Sequence, residues 1–120
     1  MNIQVYWHKR NFDTQKAERF LKERRIPFQM VDLKKHRLGK REAELFLRAA
    51  GGVREALDMD SELVRSHPVA YTNDPEHILG YLVETPALLK TPIIREGNNV
   101  IVGFDETRLL ALIGKAQGRS

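Results

Sequence analysis

The chain has 120 residues, a length that suits one hydrophobic core and not two ordinary domains. It contains no cysteine, which excludes disulfides, thiolate metal sites, cysteine nucleophiles and dithiol redox chemistry carried by the chain itself. No apolar run is long enough to span a bilayer, and the N-terminal stretch lacks a secretory pattern. We therefore expect a cytoplasmic protein with no membrane association.

The formal net charge of +4 is unevenly distributed along the chain. Residues 1 to 41 hold twelve Lys and Arg against four Asp and Glu, a net +8, whereas residues 42 to 120 hold eight against twelve, a net −4. Such a chain can steer an acidic protein or a nucleic acid to its N-terminal third. The alternative is an ordinary solvated helix surface, and direct nucleic-acid binding is not expected because no nucleic-acid motif is present.

The first third of the chain predicts a strand, a helix and a second strand. Residues 2 to 7 alternate apolar and polar side chains, which is typical of a strand. Ala17, Phe20 and Leu21 follow with the spacing of one helix face. Residues 26 to 32 alternate again, so the order favours a right-handed parallel β-α-β unit.

The middle of the chain predicts helices. Residues 40 to 50 carry an apolar stripe that ends at Gly51-Gly52, and a short helical piece follows at 53 to 59. Asp74 and Pro75 are a capping residue and a first-turn proline, and they predict a third helix that ends by Thr85.

The last third predicts a β-hairpin and a final helix. Two β-rich runs join at "EGNN", residues 96 to 99, whose Gly and Asn residues accept the positive φ of a tight turn. Asp105 is placed to cap the helix that follows.

The complete order predicts an α/β fold with a thioredoxin/glutaredoxin-like mixed four-stranded sheet and an inserted helical subdomain. We expect a single domain over residues 1–120. Its core comprises about 1–35 and 86–117, and the helical insertion comprises about 39–84.

Four stretches carry a resemblance to a known family: "VYWHKRNFDTQKA", "FLKERRIPFQMVDLKK", "TPALLKTPII" and "NNVIVGFDETRLLALI". In this order and spacing the chain resembles the arsenate reductase (ArsC) and Spx family over nearly its whole length. The resemblance implies the thioredoxin-like fold with its helical insertion, and it places the family's cis-proline at Thr91-Pro92.

The same resemblance implies where the family's chemistry would lie. The reductases use one cysteine at the start of the first loop and the Spx regulators use a CxxC pair, and the matching positions hold Asn11 and Thr14. The reductases' arginines match Gln15, Thr91, and Gly103 or Phe104. An asparagine cannot form the thiol-linked intermediate. The resemblance therefore implies the fold, whereas the residues argue against the family's chemistry. We expect a non-catalytic member, a pseudoenzyme that acts as a protein-binding or regulatory module and has no catalytic residue.

The loop and the cis-proline segment remain candidates for binding an anion or a thiol, with Lys9, Arg10, Asn11, Thr14, Thr91 and Pro92 as the residues. A helix N-terminus offers free N–H groups and a partial positive charge to an oxyanion. In that alternative the chain is a glutathione-dependent reductase or an anion-binding or thiol-binding protein, and glutathione is its cofactor; otherwise no cofactor is expected. The competing interpretation is that Asn11 or Asp13 only caps the helix.

A basic surface is the candidate for a protein partner, with Arg10, Lys22, Arg24, Arg25, Lys34 and Lys35 as its residues. By analogy with Spx, the resemblance implies RNA polymerase as the partner. Tyr6, Trp7 and Phe12 would add an aromatic patch if all three were exposed, although the alternation of the strand favours burial of Trp7.

No metal site is expected, because His8, His36, His67 and His77 lack the spacing that brings three or four ligands together. His8 borders the loop and is expected at the surface, where it can titrate near neutrality.

Overall fold

The computed structural model describes residues 2 to 117. Its first unit consists of β1 (Ile3–Trp7), α1 (Phe12–Glu23) and β2 (Phe28–Asp32). The two strands pair in parallel, from Ile3 opposite Phe28 to Trp7 opposite Asp32. The predicted β-α-β unit is present.

Four α-helices lie between β2 and the next strand: α2 (Lys40–Ala50), α3 (Val53–Ala56), α4 (Glu62–Arg65) and α5 (Pro75–Glu84). Short 3-10 turns occupy Pro68–Ala70 and Pro86–Leu88. Gly51 ends α2 with a φ of 89°, a conformation that glycine adopts without a steric penalty. The Asp74 side chain accepts a hydrogen bond from the Glu76 N–H at 3.0 Å, as expected of a cap.

The chain then forms β3 (Ile93–Glu96), β4 (Asn99–Val102) and α6 (Glu106–Gln117). The sheet order is β2-β1-β3-β4, and β3 is antiparallel to both of its neighbours. The predicted thioredoxin/glutaredoxin-like mixed four-stranded sheet is therefore confirmed. At the hairpin, Gly97 has a positive φ of 61°, but Asn98 does not share the conformation predicted for it.

The sheet separates two hydrophobic clusters. One face carries Tyr6 and Ile93 against the helices α2 to α5, with Phe46 at its centre. The other face carries Ile3 and Val5 against α1 and α6. Because successive strand residues point to opposite faces, β1 contributes to both clusters, and the loop that follows it lies between them.

No helix within residues 2 to 117 is long and apolar enough to cross a membrane.

Candidate functional site

The loop between β1 and α1 is held by the side chain of Asn11. Its Oδ1 accepts a hydrogen bond from the Thr14 N–H at 2.7 Å, which makes Asn11, and not Asp13, the cap of α1. Its Nδ2 donates to the Thr91 carbonyl at 3.1 Å, across 80 residues of sequence. Thr91-Pro92 is a cis peptide, as the resemblance implied. One carboxamide therefore joins the loop to the start of β3.

Both cations of the loop are paired with carboxylates of the chain. Lys9 Nζ lies 3.1 Å from Asp58 Oδ2, and Arg10 Nη1 lies 3.3 Å from Glu18 Oε1. Glu18 is nearly buried and also has Lys22 at 3.9 Å. An anion at this loop would have to compete with these carboxylates for the same charges.

Two hydroxyls beside Asn11 have no hydrogen-bond partner in the part of the chain that the structure describes. Thr14 and Thr91 are both buried, and the Oγ1 atom of each makes no hydrogen bond within the described residues. A buried hydroxyl without a partner costs free energy, so these two groups are unused hydroxyls of the site. Glu18 Oε1 also makes no hydrogen bond among the described residues, but it forms the ion pair with Arg10.

Solved structures of arsenate reductase-related proteins share this architecture. An ArsC family related protein from Bacteroides fragilis is 20% identical, with a TM-score of 0.77 over 93% of this chain and 98% of that chain. An arsenate reductase from Vibrio cholerae is 15% identical, with a TM-score of 0.75 over 94% and 97%. An ArsC-related protein from Brucella melitensis is 22% identical, with a TM-score of 0.67 over 94% and 95%.

The chain has the fold of these arsenate reductase-related proteins. No protein-family model matches the sequence, and a search of curated proteins finds no match. Identity at this level carries the fold and not the chemistry, because unrelated activities occur on one fold. Within the arsenate reductase-like fold, the site must therefore be judged from its own residues.

His8 is not at the surface, and that prediction is wrong. Its side chain is only 6% exposed, and Nε2 lies 2.9 Å from the Leu89 carbonyl. Burial lowers the pKa of His8, although the bond to Leu89 and the charge of Asp58 oppose the shift. The alternation of β1 continues one residue past the strand, and His8 consequently points to the same face as Tyr6, beneath the helical insertion.

The aromatic patch is only partly formed. Tyr6 is fully buried, Trp7 is half-buried, and Phe12 is 82% exposed. The Arg10 guanidinium lies 5.9 Å from the centre of the Trp7 ring. The surface beside the loop thus presents Phe12 next to an arginine that stacks on an indole.

Five of the six basic candidates lie at two ends of the fold, and the sixth, Lys22, lies in the last turn of α1, 3.9 Å from Glu18. Arg10, Lys34 and Lys35 are near the carboxyl ends of β1 and β2, whereas Arg24 and Arg25 follow the far end of α1. Since α1 runs back along the parallel pair, these two groups are about a helix length apart, roughly 18 Å. Arg24 stacks over Phe20 at 3.7 Å and lies 4.0 Å from Glu106.

A partly buried polar network was missed by sequence reasoning. The Tyr6 hydroxyl donates to Glu42 Oε2 at 3.1 Å, Arg95 Nη1 donates to the same oxygen at 3.4 Å, and His36 Nε2 lies 3.2 Å from Oε1. The Gly39 N–H also donates to Oε1 at 3.1 Å. Its one local signal is the spacing from Gly39 to Glu42, three residues, at the start of a predicted helix.

The network fixes the charge states of two members. Desolvation raises the pKa of Glu42, but hydrogen bonds from Gly39, His36 and Tyr6 outweigh it, so the net pKa is lowered and the carboxylate is ionised. Burial raises the pKa of Tyr6, which keeps its hydroxyl protonated as a donor. No cluster of three potential metal ligands occurs among the described residues.

Proposed function

We propose that this chain is a non-catalytic member of the arsenate reductase and Spx family, a cytoplasmic pseudoenzyme that acts as a protein-binding or regulatory module. It has no thiol redox chemistry of its own, because the sequence has no cysteine. The supporting observation is a contrast within one loop. Lys9, Arg10 and Asn11 are occupied by contacts inside the chain, while Phe12 projects into solvent.

The occupied groups argue against turnover at the loop. A reductase loop must present a nucleophile to an oxyanion held by free cations and N–H groups. Here Asn11 fills the Thr14 N–H, and Asp58 and Glu18 neutralise the two cations.

The exposed groups argue for a contact surface. Exposed aromatic and arginine side chains are the residue types that contribute most of the binding energy at protein interfaces. Phe12 is the first residue of α1, and Trp7 ends β1. Between them, Arg10 contacts Glu18 but keeps 57% of its side chain exposed, and its guanidinium lies 5.9 Å from the centre of the Trp7 ring. These three residues define the proposed contact site.

The experiment is affinity capture from extract of the source organism with immobilised wild-type protein, Phe12→Ala and Tyr71→Ala. Tyr71 is a matched control because it is 78% exposed and lies in the helical insertion. A partner of the loop should be lost at least about tenfold with Phe12→Ala and retained with Tyr71→Ala. Purified RNA polymerase from the same organism tests the Spx analogy directly.

Two outcomes would contradict the proposal. One is a set of captured proteins that does not change with Phe12→Ala. The other is a wild-type protein that captures nothing above the level of a blank matrix.

A second candidate function rests on the two buried hydroxyls of Thr14 and Thr91. Unused donors next to a cis-proline segment favour a glutathione-dependent reductase, or an anion-binding or thiol-binding protein, in which an external thiol supplies the redox chemistry. Thr91 would pair with the backbone of a bound glutathione, and Asn11 and Thr14 would orient its sulfur.

Calorimetric titration with glutathione, arsenate and sulfate tests this candidate on wild-type protein, Thr14→Val and Thr91→Val. Ligand binding predicts heat that the valine variants lose. If the hydroxyls serve no ligand, no heat is expected, and each valine variant should be as stable as wild type or about 1 kcal/mol more stable, because an unpaired buried hydroxyl has been removed.

A further inference from the structure

A groove of about 1030 Å³ crosses the free edge of the sheet. Its walls come from α2 and α6, which pack on opposite faces, and its floor includes residues of β4, the last strand in the sheet order. The hairpin turn at Gly97 lies at the end of the sheet where β1 begins, because Ile3 pairs with Glu96. The groove is therefore separate from the loop at Lys9 to Thr14.

The outer edge of β4 has unused backbone groups. The Gly103 N–H donates to the Pro92 carbonyl at 2.7 Å, and in an antiparallel pair bonded and non-bonded positions alternate. Continuing the register from this pair makes Ile101 and Asn99 the residues bonded to β3. Val100 and Val102 then direct their N–H and C=O groups outward, where the described part of the chain provides no strand to pair with them.

The groove is strongly basic. Its charged lining comprises Arg41, Arg48, Arg95, Arg108 and Lys115 against Glu42 and Glu44. Arg95 is engaged by Glu42 at 3.4 Å, and Arg108 lies 3.7 Å from Asp105. Among the residues that the structure describes, Arg41, Arg48 and Lys115 have no carboxylate within 4.0 Å. Glu44 also lines the groove without a salt bridge among the described residues, and the three cations outnumber it, so the edge has a net positive potential.

We propose that the groove binds an extended acidic segment of a partner protein, which adds a strand to the sheet beside β4. The backbone of that segment would pair with Val100 and Val102, the mode of recognition called β-augmentation. Successive side chains of the added strand would point to opposite faces of the sheet. Acidic side chains at odd and at even positions would therefore each lie near a cation. Arg48 lies on the α2 side and Lys115 on the α6 side. This proposal goes beyond the loop surface and does not depend on it.

Fluorescence anisotropy with the full chain tests the charge requirement. The probe is a blocked, fluorophore-labelled peptide of about eight residues, with Glu-Glu and Val-Thr pairs alternating so that carboxylates face both sides. Its control has Lys in place of each Glu. We expect saturable binding of the acidic peptide and none of the basic one.

Charge reversal provides the matched protein variants. Arg48→Glu with Lys115→Glu should weaken binding of the acidic peptide at least about tenfold. The control is Arg54→Glu with Arg65→Glu, which changes the net charge equally on exposed positions of α3 and α4. The control should retain binding within about twofold, because its charges lie outside the groove. If both double variants lost binding of the acidic peptide equally, net charge alone would explain the loss, and the proposal would be overturned.

N-methylation of the peptide tests the strand pairing without altering the protein. Only every second amide of the added strand faces β4. Methylating the amides that face β4 should abolish binding, whereas a peptide methylated at the other amides should still bind. Binding that ignores both patterns, or no binding of the unmodified acidic peptide, would overturn the proposal. So would a single-stranded oligonucleotide that binds at this groove while the peptide does not.

Discussion

Asn11 performs two structural tasks with one side chain. Its oxygen caps α1, and its nitrogen donates to Thr91 across the loop. A cap and a partly buried hydrogen bond are each worth about 1 kcal/mol. A cysteine at this position could supply neither contact at comparable strength, since a thiol is a weak donor and a weak acceptor.

Two substitutions separate these tasks. Asn11→Ser keeps a capping oxygen and loses the donor to Thr91, so we expect the free energy of unfolding to fall by about 1 kcal/mol. Asn11→Ala loses both contacts, so the free energy of unfolding should fall by about 2 kcal/mol. Urea denaturation followed by Trp7 fluorescence measures both. Wild-type stability in Asn11→Ser would mean that the bond to Thr91 contributes nothing.

His8 predicts a dependence of stability on pH. The pKa of its imidazole is lowered in the fold, mainly by burial, from an ordinary value of 6.5. As the pH falls below 6.5, the unfolded chain binds a proton that the folded chain resists, so the free energy of unfolding decreases. Where only the unfolded state is protonated at His8, the free energy of unfolding changes by about 1.4 kcal/mol per pH unit.

Denaturation of wild type and His8→Gln between about pH 7 and about pH 5 measures this contribution. His8→Gln should lose less stability than wild type over this interval, whatever its stability at neutral pH. Glu42 contributes little to the change over this pH range. The pKa of its carboxyl is lowered in the fold, so the stability that it provides is lost mainly below its ordinary pKa of 4.5. Parallel curves for the two proteins would contradict the assignment.

At the level of elements, local pattern predicted the strands and the longer helices well, missed the short helix α4, and predicted the partly buried polar contacts poorly. The alternation of β1 and the caps at Asp74 and Asp105 depend on neighbouring residues, and each was read correctly. The Tyr6 bond to Glu42 spans 36 residues, and the Arg95 bond to Glu42 spans 53. Nothing local in the sequence pairs these side chains, so the network appears only when α2 is placed against the sheet.

Removing the centre of that network should be costly. Glu42→Ala leaves the Tyr6 hydroxyl and the Arg95 guanidinium without their acceptor, and we expect a loss of about 2 to 4 kcal/mol in the free energy of unfolding. Glu44→Ala is the control, since Glu44 lies on the same helix and has no salt bridge among the described residues. Its effect should stay within about 0.5 kcal/mol. Chemical denaturation of both variants at pH 7 distinguishes them, and equal losses would mean that the network carries no special weight.

For the whole molecule, the fold pairs the two halves of an uneven charge distribution. Lys9 with Asp58, Arg24 with Glu106 and Lys40 with Glu76 each join a cation of the basic N-terminal third to a later carboxylate. The sequence alone shows that the net charge is positive in the N-terminal third and negative in the rest of the chain. It could not predict where the charged side chains lie in the fold, because their positions depend on which helices pack against each other.

The shared sheet should make the molecule unfold as one unit. Leu109 on α6 is fully buried in the cluster opposite the helical insertion, whereas Leu110 is 46% exposed. Leu109→Ala should lower the free energy of unfolding by about 2 to 5 kcal/mol. Leu110→Ala should change it by no more than about 0.5 kcal/mol. Helical circular dichroism and Trp7 fluorescence should shift together, because both clusters rest on β1 and β3; separate transitions would contradict this.

The positive charge beside β4 has a consequence for contacts between copies of the same chain. An uncovered strand edge is a template on which identical molecules can stack into aggregates. Two copies that met edge to edge would bring Arg48 and Lys115 of each molecule against the same charges of the other, and like charges in close contact repel. Raising the salt concentration would weaken that protection. We therefore expect the charge of this edge to oppose self-association most strongly at low ionic strength.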